Sequence, residues 1–159
     1  MHLVVIGGSD AGISAALRAH ELDSSVEITL LLADDYPNFS ICGLPYYLSG
    51  ETADWRDLAH RKEFPGIKVL RRHRALGIDA AQRAVSVSHE GEDATMRYDK
   101  LIVATGARPV RPELSGYDLP NVFPLHTMED SFAVHRRLEE GPCEALGGAP
   151  SRQTAIGTR

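Results

Sequence analysis

The first thirty residues constrain this chain more than any other part of it. Leu3-Val4-Val5-Ile6 is a continuous apolar run, the pattern of a strand buried on both faces. It runs into Gly7-Gly8-Ser9-Asp10-Ala11-Gly12. From Ile13 to Leu22 the apolar residues Ile13, Ala16 and Leu17 recur at helical spacing, with polar residues between them. Asp23-Ser24-Ser25 breaks the pattern, and Val26 to Leu32 is a second branched, apolar run ending at Ala33-Asp34-Asp35. Strand, glycine turn, helix and strand in that order form a βαβ unit, whose crossover makes the two strands parallel.

Further along, Pro37 to Gly50 is a dense loop-like segment containing Cys42. Asp54 reads as an N-cap and predicts a helix over 55–64, ended by Pro65-Gly66. Short strands are expected at Ile67–Leu70, Ala75–Ile78 and Ala84–Ser88. The last is expected to pair with Ala94–Tyr98 across the turn Glu90-Gly91-Glu92-Asp93. Leu101 to Ala104 reads as another buried parallel strand, closed by Thr105-Gly106. A proline-rich loop (Pro109, Pro112, Pro120, Pro124) precedes a helix over 127–139 carrying Phe132, Val134 and Leu138. The expected fold is therefore α/β, a parallel sheet with a small antiparallel β-meander.

Charge and cysteine content narrow the function. The 159 residues suit about one domain, and the formal net charge of -5 argues against a nucleic-acid partner. The longest apolar run is far too short for a membrane span, and no secretory signal precedes Leu3. Cys42 and Cys143 make neither a disulfide framework nor a zinc site, and the histidines show no metal-ligand spacing. These features read as a cytoplasmic protein, in which a single thiol is either core filler or a chemical tool.

The hexapeptide approximates G-x-G-x-x-G, with Ser9 at the middle glycine. The first glycine permits the tight turn, the small middle residue lets a pyrophosphate approach the backbone, and the last lets helix pack on strand. The helix N-terminus then offers free N–H groups and partial positive charge to the phosphates. An acid at the end of the second strand commonly holds the ribose. Asp34 lies there, 22 residues after Gly12, although it also reads as a solvated loop acid.

Three segments together resemble the N-terminal half of the FAD-dependent pyridine nucleotide–disulfide oxidoreductases. They are VVIGGSDAGISAAL, YPNFSICGLPYYLSG around Cys42, and YDKLIVATGARP. The resemblance is greatest to the single-cysteine branch of coenzyme A-disulfide reductase, NADH oxidase and NADH peroxidase. It implies a Rossmann-like FAD-binding domain, incomplete in this chain. The FAD diphosphate would lie on Gly7, Gly8, Ser9, Asp10, Ala11 and Gly12, with Ala33 and Asp34 near the ribose and Ala104, Thr105 and Gly106 closing over the cofactor. It also implies that Cys42 is the redox nucleophile beside the flavin, and that NAD(P)H is the electron donor. The acceptor would be a small-molecule disulfide, peroxide or oxygen, and the full-length family is homodimeric. Gly43-Leu44-Pro45 follows the cysteine, with a proline suited to a first helical turn, and a helix N-terminus there would favour the thiolate.

Three positions depart from the family pattern. Leu32 stands where a ribose-binding Glu is frequent, so Asp34 would have to substitute. Ile41 stands where coenzyme A-disulfide reductases have Asn and oxidases and peroxidases often have Ser. Asp10 stands where peroxidases and oxidases have a histidine, and a carboxylate there repels a thiolate. Tyr46, Tyr47 and Trp55 read as packing residues, and Arg71-Arg72-His73-Arg74 as a solvated face. Residues 1–140 are expected to form a partial FAD-binding domain. Residues 141–159, rich in Gly, Pro, Ala, Ser and Thr, read as an irregular tail of the kind a frame shift or truncation leaves. A second glycine fingerprint, for NAD(P)H, is absent from the sequence. Weak or absent FAD retention and no NAD(P)H-dependent turnover from this chain alone are therefore expected. Two other readings stay open: a non-catalytic remnant, and a ferredoxin-reductase-type flavoprotein that does not use the cysteine.

Overall fold

The computed structural model describes residues 1–110 and 113–141. They fall into two compact units. The first comprises residues 1–40 and 59–107, and the second contains residues 41–58 and the described residues between 108 and 141.

The first unit opens as the sequence predicts. Strand β1 (His2–Ile6), helix α1 (Asp10–Leu22) and strand β2 (Glu27–Leu31) follow one another, with β1 and β2 parallel and Val4 opposite Thr29. Helix α1 starts at Asp10 rather than Ile13, so Asp10, Ala11 and Gly12 are its first three residues and Ser9 is its N-cap. Strand β3 (Ile67–Leu70) pairs parallel with β2. Beyond it β4 (Arg74–Asp79), β5 (Ala84–His89) and β6 (Glu92–Arg97) form the antiparallel meander, with a bulge between Ala75 and Gly77. Strand β7 (Lys100–Val103) then pairs parallel with the free side of β1, giving a sheet of order β3-β2-β1-β7.

Both faces of the central strands are covered, which is why their sequences are apolar throughout rather than alternating. On one face Leu3, Val5, Ile28, Leu30 and Leu32 pack with Ile13 and Ala16 of α1. On the other, Val4, Ile6 and Leu31 meet Val85 and Val87 of the meander. Thr29, a polar residue of β2 that is 2% exposed, has its hydroxyl within 2.9 Å of His2 Nε2. A buried hydroxyl with a partner avoids the penalty of an unsatisfied one.

Three local expectations change. The helix over 55–64 is a single 3-10 turn, Trp55–Leu58. Asp54 does cap it, accepting from the Arg56 amide at 2.9 Å. Beyond Leu58 the chain turns extended, because Ala59 bridges antiparallel to Phe39 and the His60 amide donates to the Asn38 carbonyl at 2.9 Å. The turn between β5 and β6 is only Glu90-Gly91, since His89 already pairs with Glu92. Both turn residues have positive φ (53° and 89°), the geometry of a two-residue hairpin whose twist matches its strands. The strand expected to be buried at Leu101–Ala104 is an edge of the sheet among the described residues, with Val103 57% exposed.

The second unit, described by itself, contains a 3-10 turn (Ile41–Gly43) leading into helix α2 (Leu44–Leu48), and helix α3 (Met128–Glu139). Thr127 and Asp130 form a reciprocal capping box at the start of α3. Tyr47 stacks on His135 (ring centroids 5.1 Å apart), and Phe132 meets Tyr47 and Trp55 edge-on. Tyr47 and Trp55 thus pack as expected, whereas Tyr46 is half exposed.

Candidate functional site

The glycine turn lies at the carboxyl end of β1, where the sheet order reverses. From β1 the chain steps to β2 and β3 on one side and comes back to the other side as β7. In open α/β sheets that switch point is the crevice in which ligands bind. The turn and the β7 end are packed on each other there. Gly7 has φ +107°, and a Cβ on it would collide with the backbone carbonyl of Ala104. A Cβ on Gly12 would collide with the Gly7 carbonyl, so the last glycine brings α1 against the turn. One on Gly8 would press into Leu32 and Leu30. Gly106 has φ +67° and open space around its Cα. The Ala104 amide donates to the Ile6 carbonyl at 2.8 Å, and the Gly7 amide to that of Leu31 at 2.9 Å, which extends both ladders into the site.

The cradle fits a diphosphate. Helix α1 has 13 residues, and Ser9 makes no side-chain capping bond to its first turn. Its leading amides are thus not taken up by the N-cap side chain, the condition in which a helix N-terminus can receive an anion. Asp10 is the residue that opposes this, a carboxylate in the first turn of the helix.

Leu32 is 6% exposed and part of the core, so it offers the ribose nothing. Ala33 is exposed. Asp34 is half-buried and accepts the Tyr36 amide on Oδ1 at 2.9 Å, while its carbonyl accepts the Arg72 amide at 3.0 Å. The neighbouring Asp35 is ion-paired with Arg72 (Nε to Oδ2, 2.6 Å), which holds the guanidinium above its ordinary pKa through that hydrogen bond and the carboxylate's charge. Arg71, Arg72 and Arg74 are exposed, as expected of a solvated face, while His73 is partly buried and stacks on His89 with ring centroids 4.1 Å apart.

Two residues of this region are not among those the sequence singles out. Asn38 is 3% exposed with φ 56°; its amide donates to the Gly8 carbonyl at 2.7 Å and its side chain to Asp10 Oδ1 at 2.7 Å. His60 Nδ1 lies 3.0 Å from the same Asp10 oxygen. A Pro-Asn dipeptide hints at a turn that tolerates positive φ. Nothing local ties His60 to a residue fifty positions earlier.

The structure thus brings together Gly7 to Gly12, Asp34 and Ala104 to Gly106 within one unit. Cys42 belongs to the other unit. It is exposed, sits in the 3-10 turn and immediately precedes Gly43, the N-cap of α2, with Pro45 in the first turn of that helix. Cys143 lies outside the described residues. Among the described residues no group of three or more His, Cys, Asp or Glu is arranged to hold a metal ion, and no helix is long and apolar enough to cross a membrane.

Parallel sheet, glycine turn at the switch point and flanking meander define a Rossmann-type α/β oxidoreductase fold. The particular family follows from comparison: the chain belongs to the pyridine nucleotide-disulphide oxidoreductases, whose family model matches residues 1–154. This is a family of flavoproteins that use FAD and NAD(P)H. Similar proteins include an NADH oxidase of Methanocaldococcus jannaschii, 27% identical over all of this chain and 38% of its own length. A CoA-dependent NAD(P)H sulfur oxidoreductase of Pyrococcus furiosus is 32% identical over 89% of this chain and 33% of its own length. The structure of an NAD-dependent persulfide reductase from A. fulgidus superposes with a TM-score of 0.83 at 33% identity, over 89% of this chain and 28% of that one. The chain spans about a third of the length of these relatives. The family match also runs past residue 141, into the segment expected to be an irregular tail.

Proposed function

We propose that this chain is the FAD-binding portion of an NAD(P)H-dependent oxidoreductase that reduces a disulfide, or a related small acceptor, through Cys42. The observation that carries the reading is the close packing of the Gly7–Gly12 turn on the end of β7 at the sheet's switch point. Gly7, Gly8 and Gly12 shape the turn, and the leading amides of α1 hold the diphosphate. Asp34 accepts hydrogen bonds from the ribose in place of the core residue Leu32, and Ala104, Thr105 and Gly106 line the opposite wall. FAD, when bound, supplies two-electron redox chemistry.

Cys42 acts as a thiolate. It attacks one sulfur of the acceptor disulfide, the S–S bond breaks, and the other sulfur leaves as a thiolate. Two electrons and a proton, drawn from NAD(P)H in the whole protein, cleave the resulting mixed disulfide, regenerate the Cys42 thiolate and release the second thiol. With a peroxide acceptor the oxidised form of Cys42 is a sulfenic acid. A reducing, cytoplasmic compartment keeps the thiol available. Residues 1–140 form the partial FAD-binding domain in this reading, and the rest of the catalytic machinery lies in sequence that the longer relatives carry.

The test combines cofactor and thiol. The full chain is titrated with FAD, flavin fluorescence is followed, and the FAD-loaded chain is treated with a small aromatic disulfide. Mass spectrometry then maps the adduct. Saturable FAD binding with a mixed disulfide at Cys42, absent in Cys42→Ser, is the expected result. FAD binding with an inert Cys42 would move the protein to the cysteine-independent flavoproteins, and a chain that binds neither FAD nor ADP would remove the proposal.

A further inference from the structure

The carboxylate of Asp10 opposes the diphosphate site, yet it is the best-tethered side chain of the glycine turn. One of its oxygens, Oδ1, receives Asn38 Nδ2 at 2.7 Å and lies 3.0 Å from His60 Nδ1. An ionised carboxylate only accepts, so His60 Nδ1 must be the donor. Asn38 closes the circle, because its carbonyl accepts the His60 amide at 2.9 Å and its own amide donates to Gly8 at 2.7 Å. Asp10, Asn38 and His60 thus form a ring of hydrogen bonds linking the glycine turn, the segment after β2 and the segment before β3.

The ring is poorly suited to stabilising the fold through charge. The side chains of His60 and Asp10 are 53% and 67% exposed, and pairs so open to water contribute little. Its effect falls on what approaches the turn. A carboxylate beside the first amides of α1 competes with an anionic ligand for the same partial positive charge. Two donors on one oxygen fix the direction of that carboxylate and offset part of its charge.

We infer that Asn38 and His60 are positioning residues for the diphosphate site: they hold the Asp10 carboxylate so that its charge does not repel the ligand. The inference rests on the reading of the glycine turn as a diphosphate site. It separates the roles of the three residues. Asp10 is tolerated rather than required, His60 is needed only because Asp10 is charged, and Asn38 serves both the turn and the clamp.

The experiment measures ADP binding to the full chain by calorimetry at low and high salt, for wild type, His60→Ala, Asp10→Asn and the double variant. The expected result is an affinity at least threefold weaker in His60→Ala at low salt. The deficit shrinks in high salt, where the repulsion is screened. The double variant recovers wild-type affinity or better, because no charge is left to restrain. An unchanged affinity in His60→Ala overturns the clamp while leaving the diphosphate reading intact. A double variant as weak as His60→Ala also overturns it, since the loss would then be structural. Failure of wild type and every variant to bind ADP overturns the diphosphate reading and the clamp together.

Discussion

Gly7 has φ +107°, and its missing side chain makes room for the Ala104 carbonyl. Alanine there is strained by its backbone and blocked by its neighbour, and the obstacle is main chain rather than a side chain that can swing away. Gly7→Ala is expected to destabilise the first unit by roughly 2–3 kcal/mol, within the range for strain at a special φ/ψ. It should also abolish ADP binding. Chemical denaturation followed by calorimetry checks both, and a Gly7→Ala protein as stable as wild type would remove the packed-turn account. The need for glycine at this position was legible from the motif. The identity of the atom that enforces it was not, because Ala104 lies 97 residues further along and comes to the turn only through the β1–β7 pairing.

Helix α1 shows how an element is ended as well as begun. Asp23 is its C-cap, with extended backbone, and takes the Ser25 hydroxyl on Oδ1 at 2.6 Å and the Ser25 amide at 2.9 Å. The hydroxyl first, then the amide, holds the Asp23 carboxyl below its ordinary value of 3.8. A depressed carboxyl contributes stability that is present above 3.8 and is lost as pH falls through the folded-state value. Ser25→Ala should therefore raise the Asp23 titration midpoint toward 3.8. Any stability difference from wild type should be present at neutral pH and vanish in acid. Carboxyl-carbon NMR titration with thermal melts at several pH values reads both. The break at Asp23-Ser24-Ser25 was visible in composition. Propensity and capping carried too far at 55–64, where a backbone bond from His60 to Asn38 and the Phe39–Ala59 bridge draw the chain out of the helix. Local sequence specifies the cap, but a partner twenty residues away decides the length.

For the whole molecule, the described residues divide into a sheet unit that carries the glycine turn, the proposed nucleotide site, and a helical unit that carries Cys42. Any ligand that binds only the folded sheet unit stabilises it by mass action, by about 2.7 kcal/mol at a hundredfold excess over Kd. Saturating ADP is thus expected to raise the thermal midpoint of wild type and of Cys42→Ser equally, because the thiol takes no part in holding the diphosphate. Differential scanning fluorimetry makes the comparison. A rise lost in Cys42→Ser would contradict that separation of roles.

The sequence by itself determined the βαβ opening, the parallel sheet with its meander and the position of the glycine turn. Apolar runs without alternation and glycines at fixed offsets are local consequences of burial on two faces and of backbone geometry. Tertiary structure alone decided that Leu32 goes to the core, that Asp35 pairs with Arg72, and that Asn38 and His60 meet at Asp10. Those outcomes depend on residues far apart in the chain meeting at one end of a sheet, and no periodicity or propensity records which side chains the strand register will bring within hydrogen-bonding distance.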